Sequence, residues 1–312
     1  MDIAIITVSY NTRGLLADCL GSALAGLERS GLDGQVWVVD NASTDGSVEM
    51  IRQRFPAVNL IAHEENIGFA AGNNLALKAM GFSGAVRARH VLFLNPDTRV
   101  VGDALGSMVR FLDETENAGA AGARLIHGDG SFQHSAFAFP GLAQILIDFF
   151  PLHHRLLDSQ INGRYPRALY EARQPFPVDH PLGAALMVRR DTLAQVGAFD
   201  EQYFMYCEEI DLCRRIKKAG WEIYCVPEAE IVHLVGQSTK QFRDKMFVAL
   251  WRSRFLMFEE HEGPAFRWCA RKLVRLGLWL EARRARLAHR RGEIDGNELN
   301  QRLAAFQEVA AL

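Results

Sequence analysis

The run Phe93-Leu94-Asn95-Pro96-Asp97 stops an apolar segment on a short turn that carries an amide and a carboxylate. Residues 91–94 are β-formers without charge, as a strand covered on both faces should be. Such a strand delivers Asn95 and Asp97 to its carboxyl end, where open α/β sheets bind their ligands. A carboxylate there, beside Asn95 and the loop-making Pro96, can hold a divalent metal, manganese or magnesium, against a diphosphate. Val36-Trp37-Val38-Val39 ends the same way, on Asp40-Asn41. Asp40 can accept the imide N–H of uracil or thymine, the group that a pyrimidine-specific site reads. Two acid-ended strands at one sheet edge predict a nucleotide-sugar site. For either turn alone the alternative is plain turn chemistry, because Asn, Asp and Pro also simply stop strands.

Further constellations flank these turns. Ile6-Thr7-Val8-Ser9-Tyr10-Asn11 begins as a strand and opens toward a helix. Its turn can present backbone amides, and Tyr10 can lie against a base; Asn11 and Thr12 also suit a helix N-cap. Asn66-Ile67-Gly68-Phe69-Ala70-Ala71-Gly72-Asn73-Asn74 joins amides to small residues ahead of a helix. That pattern lets backbone approach a ribose or phosphate and offers helix-end dipoles to an anion. From Gly197 to Arg215 the chain crowds carboxylates among aromatic residues, with Glu208, Glu209 and Asp211 at a helix start. The helix dipole favours their ionised forms there, whereas burial and like charges push a pKa upward. Glu208 or Glu209 can thus act as base toward a sugar hydroxyl, while Asp211 can equally form a local ion pair with Arg214 or Arg215. Ile231-Val232-His233-Leu234 places a lone His between apolar neighbours, in a loop running to Gly236-Gln237-Ser238. It is a core histidine, or a further ligand to the metal at Asp97 if that loop reaches the same sheet edge.

The elements that must position these residues alternate. Strands are expected at 3–8, 36–39, 58–62 and 90–94, with helices at 15–27, 47–55, 69–80 and 103–116 between and after them. This order predicts a mainly parallel, doubly wound α/β sheet. From 125 to 180 the rhythm breaks into His, Pro and aromatic clusters, an insertion expected over the acceptor side of the sheet. The apolar stretch 142–150 is suited to packing on the domain or to touching a membrane. Regular structure resumes with a strand at 184–188, a helix at 209–219 and a strand at 222–226. Two further helices are expected at 242–260 and 266–287. Arg267, Arg271, Lys272, Arg275, Arg283, Arg284, Arg286, Arg290 and Arg291 there face one acid, Glu281, beside Trp268 and Trp279. A basic, Trp-bearing amphipathic helix suits an anionic bilayer surface; a tail docked on its own domain or on a second subunit gives the same pattern.

Composition sets outer bounds. Hydrophobic residues at 49% and charged residues at 23% describe a folded, soluble chain of 312 residues. A net charge of −2 gives no whole-chain reason to expect nucleic acid. The five cysteines include no C-x-x-C pair, which disfavours a disulfide scaffold or structural zinc and fits a reducing cytosol. The start Met1-Asp2-Ile3 lacks the pattern of a signal peptide, and no uncharged apolar run approaches the roughly 18 residues of a spanning helix.

Taken in order, the motifs resemble the family 2 inverting glycosyltransferases of GT-A fold, especially the bacterial rhamnosyltransferase-like branch. The resemblance is carried by Val8-Ser9-Tyr10-Asn11, Val39-Asp40-Asn41-Ala42-Ser43-Thr44-Asp45-Gly46-Ser47, Asn66-Ile67-Gly68-Phe69 and Leu94-Asn95-Pro96-Asp97. It continues through Gly183-Ala184-Ala185, Phe199-Asp200-Glu201, Glu208-Glu209-Ile210-Asp211-Leu212, the stretch 214–221 and His233. It implies Asp40 as the base-recognising aspartate and Asn95-Pro96-Asp97 at the family's D-x-D position, with Asp97 binding the metal and His233 completing its site. Val8, Ser9, Tyr10, Asn11, Asn41, Asn66, Gly68 and Asn73 would line the donor. Glu209 falls where the family has its presumed base, an aspartate, and Asn95 replaces the first acid of the D-x-D. With the base one methylene longer, Glu208, Glu209 and Asp211 all stay candidates.

The resemblance further implies a GT-A domain over 1–239, with a nucleotide-sugar half at 1–124 and an acceptor and catalytic half at 125–239. A basic helical extension at 240–312 follows. The expected donor is dTDP-rhamnose, with UDP-hexoses as the alternative, and the expected acceptor a glycan or lipid-linked glycan of a cell-surface polysaccharide. The implied location is cytoplasmic, peripheral on the inner membrane face, and a homo-oligomer is compatible with it. Rival readings are a nucleotidyltransferase, for which Thr12-Arg13-Gly14 is a poor signature, and a nucleotide-sugar-binding scaffold without catalysis.

Overall fold

Full burial on both faces makes the first strand a central one. In the computed structural model, which describes residues 1–81, 88–150, 154–234 and 243–312, β1 (Ile3–Ser9) is buried at every position. It is followed by α1 (Arg13–Ser30), β2 (Gly34–Asn41), α2 (Ser47–Arg54), β3 (Asn59–His63), α3 (Phe69–Ala79) and β4 (His90–Leu94), close to the expected bounds. β2 and β4 flank β1 and β3 flanks β2, every pair parallel. Helix α1 turns Leu16, Leu20, Ala23 and Leu27 onto this sheet, and Gly31 ends it in the left-handed conformation a C-terminal cap requires.

The middle of the chain departs from expectation in instructive ways. After β5 (Thr98–Val100) and α4 (Ala104–Glu114) comes a nine-residue strand, β6 (Ala118–Ile126), which the sequence reading does not anticipate. Its Ala-Gly-Ala-Ala-Gly-Ala composition carries little β-propensity. Small residues are needed for close approach: a Cβ on Gly119 would lie 2.7 Å from Trp221 Cβ, and one on Gly122 would overlap Pro181. The irregular stretch then holds β7 (Phe132–Gln133), β8 (Ala136–Phe137), α5 (Leu142–Phe149), α6 (His154–Leu157), α7 (Arg167–Glu171), β9 (Phe176–Pro177) and β10 (His180–Pro181). β11 (Ala185–Arg189) re-enters the sheet antiparallel to both β4 and β6. It is followed by α8 (Arg190–Val196), α9 (Glu208–Lys218) and β12 (Glu222–His233).

β12 requires a correction. The expected strand ends at Val226, just before Pro227, a residue without a ladder donor. The observed strand passes through a register shift between Val226 and Glu230 and continues to His233, pairing with β6 before and after it. His233 therefore sits on a strand rather than in a Gly/Ser-ending loop, and the Gly236-Gln237-Ser238 end of that expected loop lies outside the described residues. The sheet order is β3-β2-β1-β4-β11-β6-β12-β5.

The chain divides into two compact units. The first contains the sheet, from Met1–Ala138, Tyr165–Phe204 and the chain from Glu208 through β12. The second gathers Phe139–Arg164 and Met205–Cys207 with α10 (Arg243–His261), α11 (Pro264–Arg290) and α12 (Gly296–Ala311). The expected boundary at 239/240 lies outside the described residues. Within this helical unit α5 buries Ile145, Ile147 and Phe149, so the apolar 142–150 stretch is packed. Gly277 of α11 sits so close to the Phe149 ring that a Cβ would overlap it, and that ring stacks on Trp251 at 5.2 Å. α12, absent from the sequence reading, is capped by Asp295, which accepts from Glu298 N at 2.8 Å. Among the described residues no helix is long and apolar enough to cross a membrane.

Candidate active site

The sheet order places β2 on one side of β1 and β4 on the other, so the chain reverses direction of winding at β1. A crevice outside the carboxyl ends of such strands is where open α/β sheets hold ligands. Ser9, Asp40 and Asn95 leave the ends of β1, β2 and β4. Ser9 is buried and shares a hydrogen bond with Thr12 Oγ1 at 2.8 Å, whereas Tyr10 is exposed. Asn11 has φ +52° and does not cap α1. Its N–H donates to Ser43 Oγ and its Oδ1 accepts from Thr44 N, both at 2.8 Å, tying the two loops together. Asp40 is buried; Oδ2 accepts the Ser43 N–H at 2.8 Å, and Oδ1 has no partner among the described residues. A buried carboxylate oxygen left so is an acceptor waiting for a donor.

The 66–74 segment closes one wall. Asn66 Oδ1 accepts from Gly68 N at 3.0 Å, and Asn41 Nδ2 donates to Gly68 O at 3.0 Å. Gly68 has φ +86°, and any Cβ there would strike Phe204 O, the same oxygen that accepts the Phe69 N–H at 2.8 Å. Asn73 is buried and turned back on its own helix, donating to Phe69 O at 2.9 Å, with its Oδ1 unpartnered among the described residues. The Val8 side chain lies in the core against Gly72, so only its backbone can reach a ligand.

Asp97 and His233, 136 positions apart by their numbers, are brought together by pairing. β5 runs antiparallel to the end of β12 with His233 opposite Thr98, and Leu234 N donates to Asp97 O at 2.9 Å. His233 Nε2 then lies 3.4 Å from Asp97 Oδ1, both side chains buried. Asn95 and Pro96 are half-buried beside them. Asn95 O accepts from Thr98 Oγ1 at 2.7 Å, which tightens the turn. One residue the sequence reading missed completes the arrangement. The Gln133 amide lies 3.1 Å from His233 Nδ1, and its Oε1 is buried without a partner among the described residues. Rotating that amide exchanges its two ends. With Oε1 toward the ring, Nδ1 holds the proton and Nε2 turns a lone pair to Asp97. Only the β6–β7 pairing brings Gln133 there, so the sequence carries no local signal for it.

The carboxylates of α9 approach the same edge. Asn95 N donates to Ala184 O at 2.9 Å, which sets Gly183-Ala184 beside the Asn95-Pro96-Asp97 turn. Glu209 lies against Gly183, where a Cβ would come 3.3 Å from its Cγ. Burial pushes the Glu209 carboxyl up to about 7, against opposing backbone N–H groups of Glu209, Ile210 and Gly183. Glu208 is pushed up as well, first by burial and then by the charge of Glu209. Oε2 of each is buried without a hydrogen-bond partner among the described residues. Burial thus outweighs the helix dipole. Asp211 differs: Arg215 binds it at 2.8 and 2.9 Å while also donating to Val196 O and Ala198 O. The expected local ion pair forms with Arg215. Tyr206 and Cys207, just before the helix, both have positive φ, +71° and +66°. Two such non-glycine residues in succession store backbone strain of the kind that collects at functional sites.

Comparison with known proteins agrees with this architecture. The chain is 28% identical over 311 residues, 94% of its own length and 96% of the relative's, to an N-acetylglucosaminyl-diphospho-decaprenol L-rhamnosyltransferase of Mycobacterium tuberculosis. It is also 28% identical over 187 residues to the Escherichia coli rhamnosyltransferase WbbL, covering 59% of this chain and 63% of that one. The mannosyltransferase PcManGT of Pyrobaculum calidifontis, solved in complex with GDP-Man and Mn2+, has a similar fold. Its TM-score is 0.55 at 18% identity, over 99% of this chain and 85% of that one. The model of the family Glycosyl transferase family 2 matches residues 4–196. With more than half its length matched and the GT-A sheet in place, the chain belongs to glycosyl transferase family 2.

Proposed function

We propose that this glycosyltransferase moves rhamnose from dTDP-rhamnose to a hydroxyl of a lipid-linked glycan, with inversion, in cell-surface polysaccharide synthesis. The carrying observation is the buried Asp97–His233 pair, 3.4 Å apart at the sheet edge that also carries the unpartnered Asp40 Oδ1. The two relatives above are both named as rhamnosyltransferases, which supports the sugar. A UDP-hexose is the alternative donor. In this reading residues 1–124 bind the nucleotide sugar, 125–239 form the acceptor and catalytic half, and 240–312 are an extension. The enzyme works at the cytoplasmic membrane face.

Asp97 and His233 fit a divalent ion, manganese or magnesium. Asp97 would hold it through a carboxylate oxygen and His233 through an imidazole nitrogen. When bound, such an ion offsets charge that develops on the leaving diphosphate. Asp40 Oδ1 accepts the imide N–H of the base, and backbone of Val8, Ser9 and Asn11 borders the nucleoside with Tyr10 against it. Asn41, Asn66, Gly68, Asn73, Asn95 and Pro96 shape the wall around the diphosphate and sugar. Glu209 takes the proton of the acceptor hydroxyl as that oxygen attacks the anomeric carbon opposite the diphosphate. The displacement is single and needs no covalent intermediate. Burial and the Glu209 charge push the Glu208 carboxyl up, which favours its neutral form beside Glu209, and Asp211, held by Arg215, positions the start of α9.

The direct test is calorimetric titration with dTDP-rhamnose, UDP-glucose and GDP-mannose, each with and without manganese. Manganese-dependent binding of dTDP-rhamnose alone is expected. Tighter binding of UDP-glucose would replace the sugar assignment, and binding of none would remove the donor site altogether. Gln133→Leu takes away the partner of His233 Nδ1. It is expected to weaken manganese about tenfold or more, read by metal titration, while the fold persists.

A further inference from the structure

The exposed face of α11 is a stripe of a different character from the rest of the helical unit. α11 is 27 residues long, roughly 40 Å at 1.5 Å per residue. It buries Ala270, Val274, Gly277, Leu278 and Ala285. Opposite them, on one helical face, lie Trp268, Lys272, Arg275, Leu276, Trp279, Arg283, Arg286, Leu287 and Arg290, all exposed. The large apolar members are far from incidental in their exposure: Trp268 63%, Trp279 53%, Leu276 50% and Leu287 47%. No exposed position of α11 carries an acid.

The ion pairs of this helix lie off the stripe. Arg271 pairs with Glu259 at 2.6 Å, and Arg284 with Glu281. Lys272, Arg275, Arg283, Arg286 and Arg290 have no acidic partner among the described residues. Two of these cations lie over the indoles instead, Lys272 Nζ at 5.7 Å from Trp268 and Arg283 Cζ at 4.9 Å from Trp279. Each exposed indole therefore has a charged head beside it, the arrangement of an amphipathic ring at a lipid headgroup boundary.

We infer that this face of α11 lies on the surface of an anionic phospholipid bilayer, indoles and leucines at the acyl boundary and the five cations among the headgroups. Charge decides the occupant. A two-fold contact between copies would set five unpaired cations against five more, with no acid on either side. Nucleic acid would satisfy the cations, but it leaves Leu276 and Leu287 without an apolar partner. A bilayer answers both halves of the stripe and needs no spanning helix.

The experiment is co-flotation of the full chain with phosphatidylcholine vesicles and with vesicles containing phosphatidylglycerol, alongside tryptophan emission. Salt-sensitive partition to the anionic vesicles, with a blue shift of emission, is expected. Replacing Lys272, Arg275 and Arg283 by Gln should weaken partition about fivefold for each cation and about a hundredfold together. Trp268→Ala with Trp279→Ala should abolish the blue shift, while donor binding and thermal unfolding stay unchanged. Equal partition to neutral vesicles, or none to anionic ones, would overturn the assignment. So would an affinity for duplex DNA equal to that for the vesicles, or a dimer in sedimentation that the Gln variants dissociate.

Discussion

Asp97→Ala is expected to abolish manganese-dependent donor binding and to lower turnover by about a thousandfold, without unfolding the protein. The magnitude follows from the chemistry assigned to that carboxylate. Loss of one preorganised group that offsets charge on a leaving diphosphate costs about 3–4 kcal/mol of transition-state stabilisation. Among the described residues the polar contact of the Asp97 side chain is the one to His233 at 3.4 Å, and its backbone O keeps the Leu234 N–H in any variant. The sheet should therefore survive, which calorimetry and thermal unfolding can verify on the same sample. A donor affinity equal to that of the unaltered enzyme, with manganese present, would sink the metal assignment.

The second large effect concerns the carboxylate proposed as the base. Glu209→Gln is expected to lower kcat by about 10³-fold with donor binding intact, because a general base contributes typically 10²–10⁴. The pH dependence gives a separate signature. With the Glu209 carboxyl raised to about 7, the unaltered enzyme should lose activity as pH falls through that value, since the protonated form cannot accept the hydroxyl proton. Stability moves the other way. A carboxyl with a folded-state pKa above its unfolded value stabilises the fold at low pH, and that contribution is lost as pH rises through about 7. Glu209→Gln should flatten both dependences. If it kept the acidic limb of the activity profile, Glu208 or Asp211 would take the role of base.

Much of the first half of the sheet was legible because its signals are local. Residues 90–94 read as a buried strand by composition alone, and Asn95-Pro96-Asp97 follows from where that strand must end. Asp40 was reached in the same way. The later half hides its strands for physical reasons. β6 is built from Ala and Gly because Trp221 and Pro181 press on it, so the residues that make the packing possible are those that erase the β signal. β12 runs past a proline that locally argues for its end. Gln133 and the Asp97–His233 contact depend on which strands pair, and pairing between distant segments leaves no trace in a window of sequence. The carboxylates at 208–211 were visible as a cluster. Their different surroundings were not, since these rest on how Glu208 and Glu209 are buried and on Arg215 holding Asp211 and two backbone carbonyls at once.

The register shift in β12 has a consequence for which changes the chain can accept. Between Val226 and Glu230 the strand advances four residues while its partner β6 advances one, from Ala123 to Arg124. The surplus is Pro227, Glu228 and Ala229. Because side chains alternate faces with a period of two, the parity of that surplus decides which face His233 presents. Losing or gaining a single residue there leaves every later ladder bond available and turns the imidazole away from Asp97. Of these three only Glu228 is exposed and open to exchange at little cost, whereas Ala229 lies fully buried in the core. The chemistry at this sheet edge is thus guarded by a count as well as by a composition: an indel there turns the imidazole from Asp97 and Ile231 from the core in the same stroke.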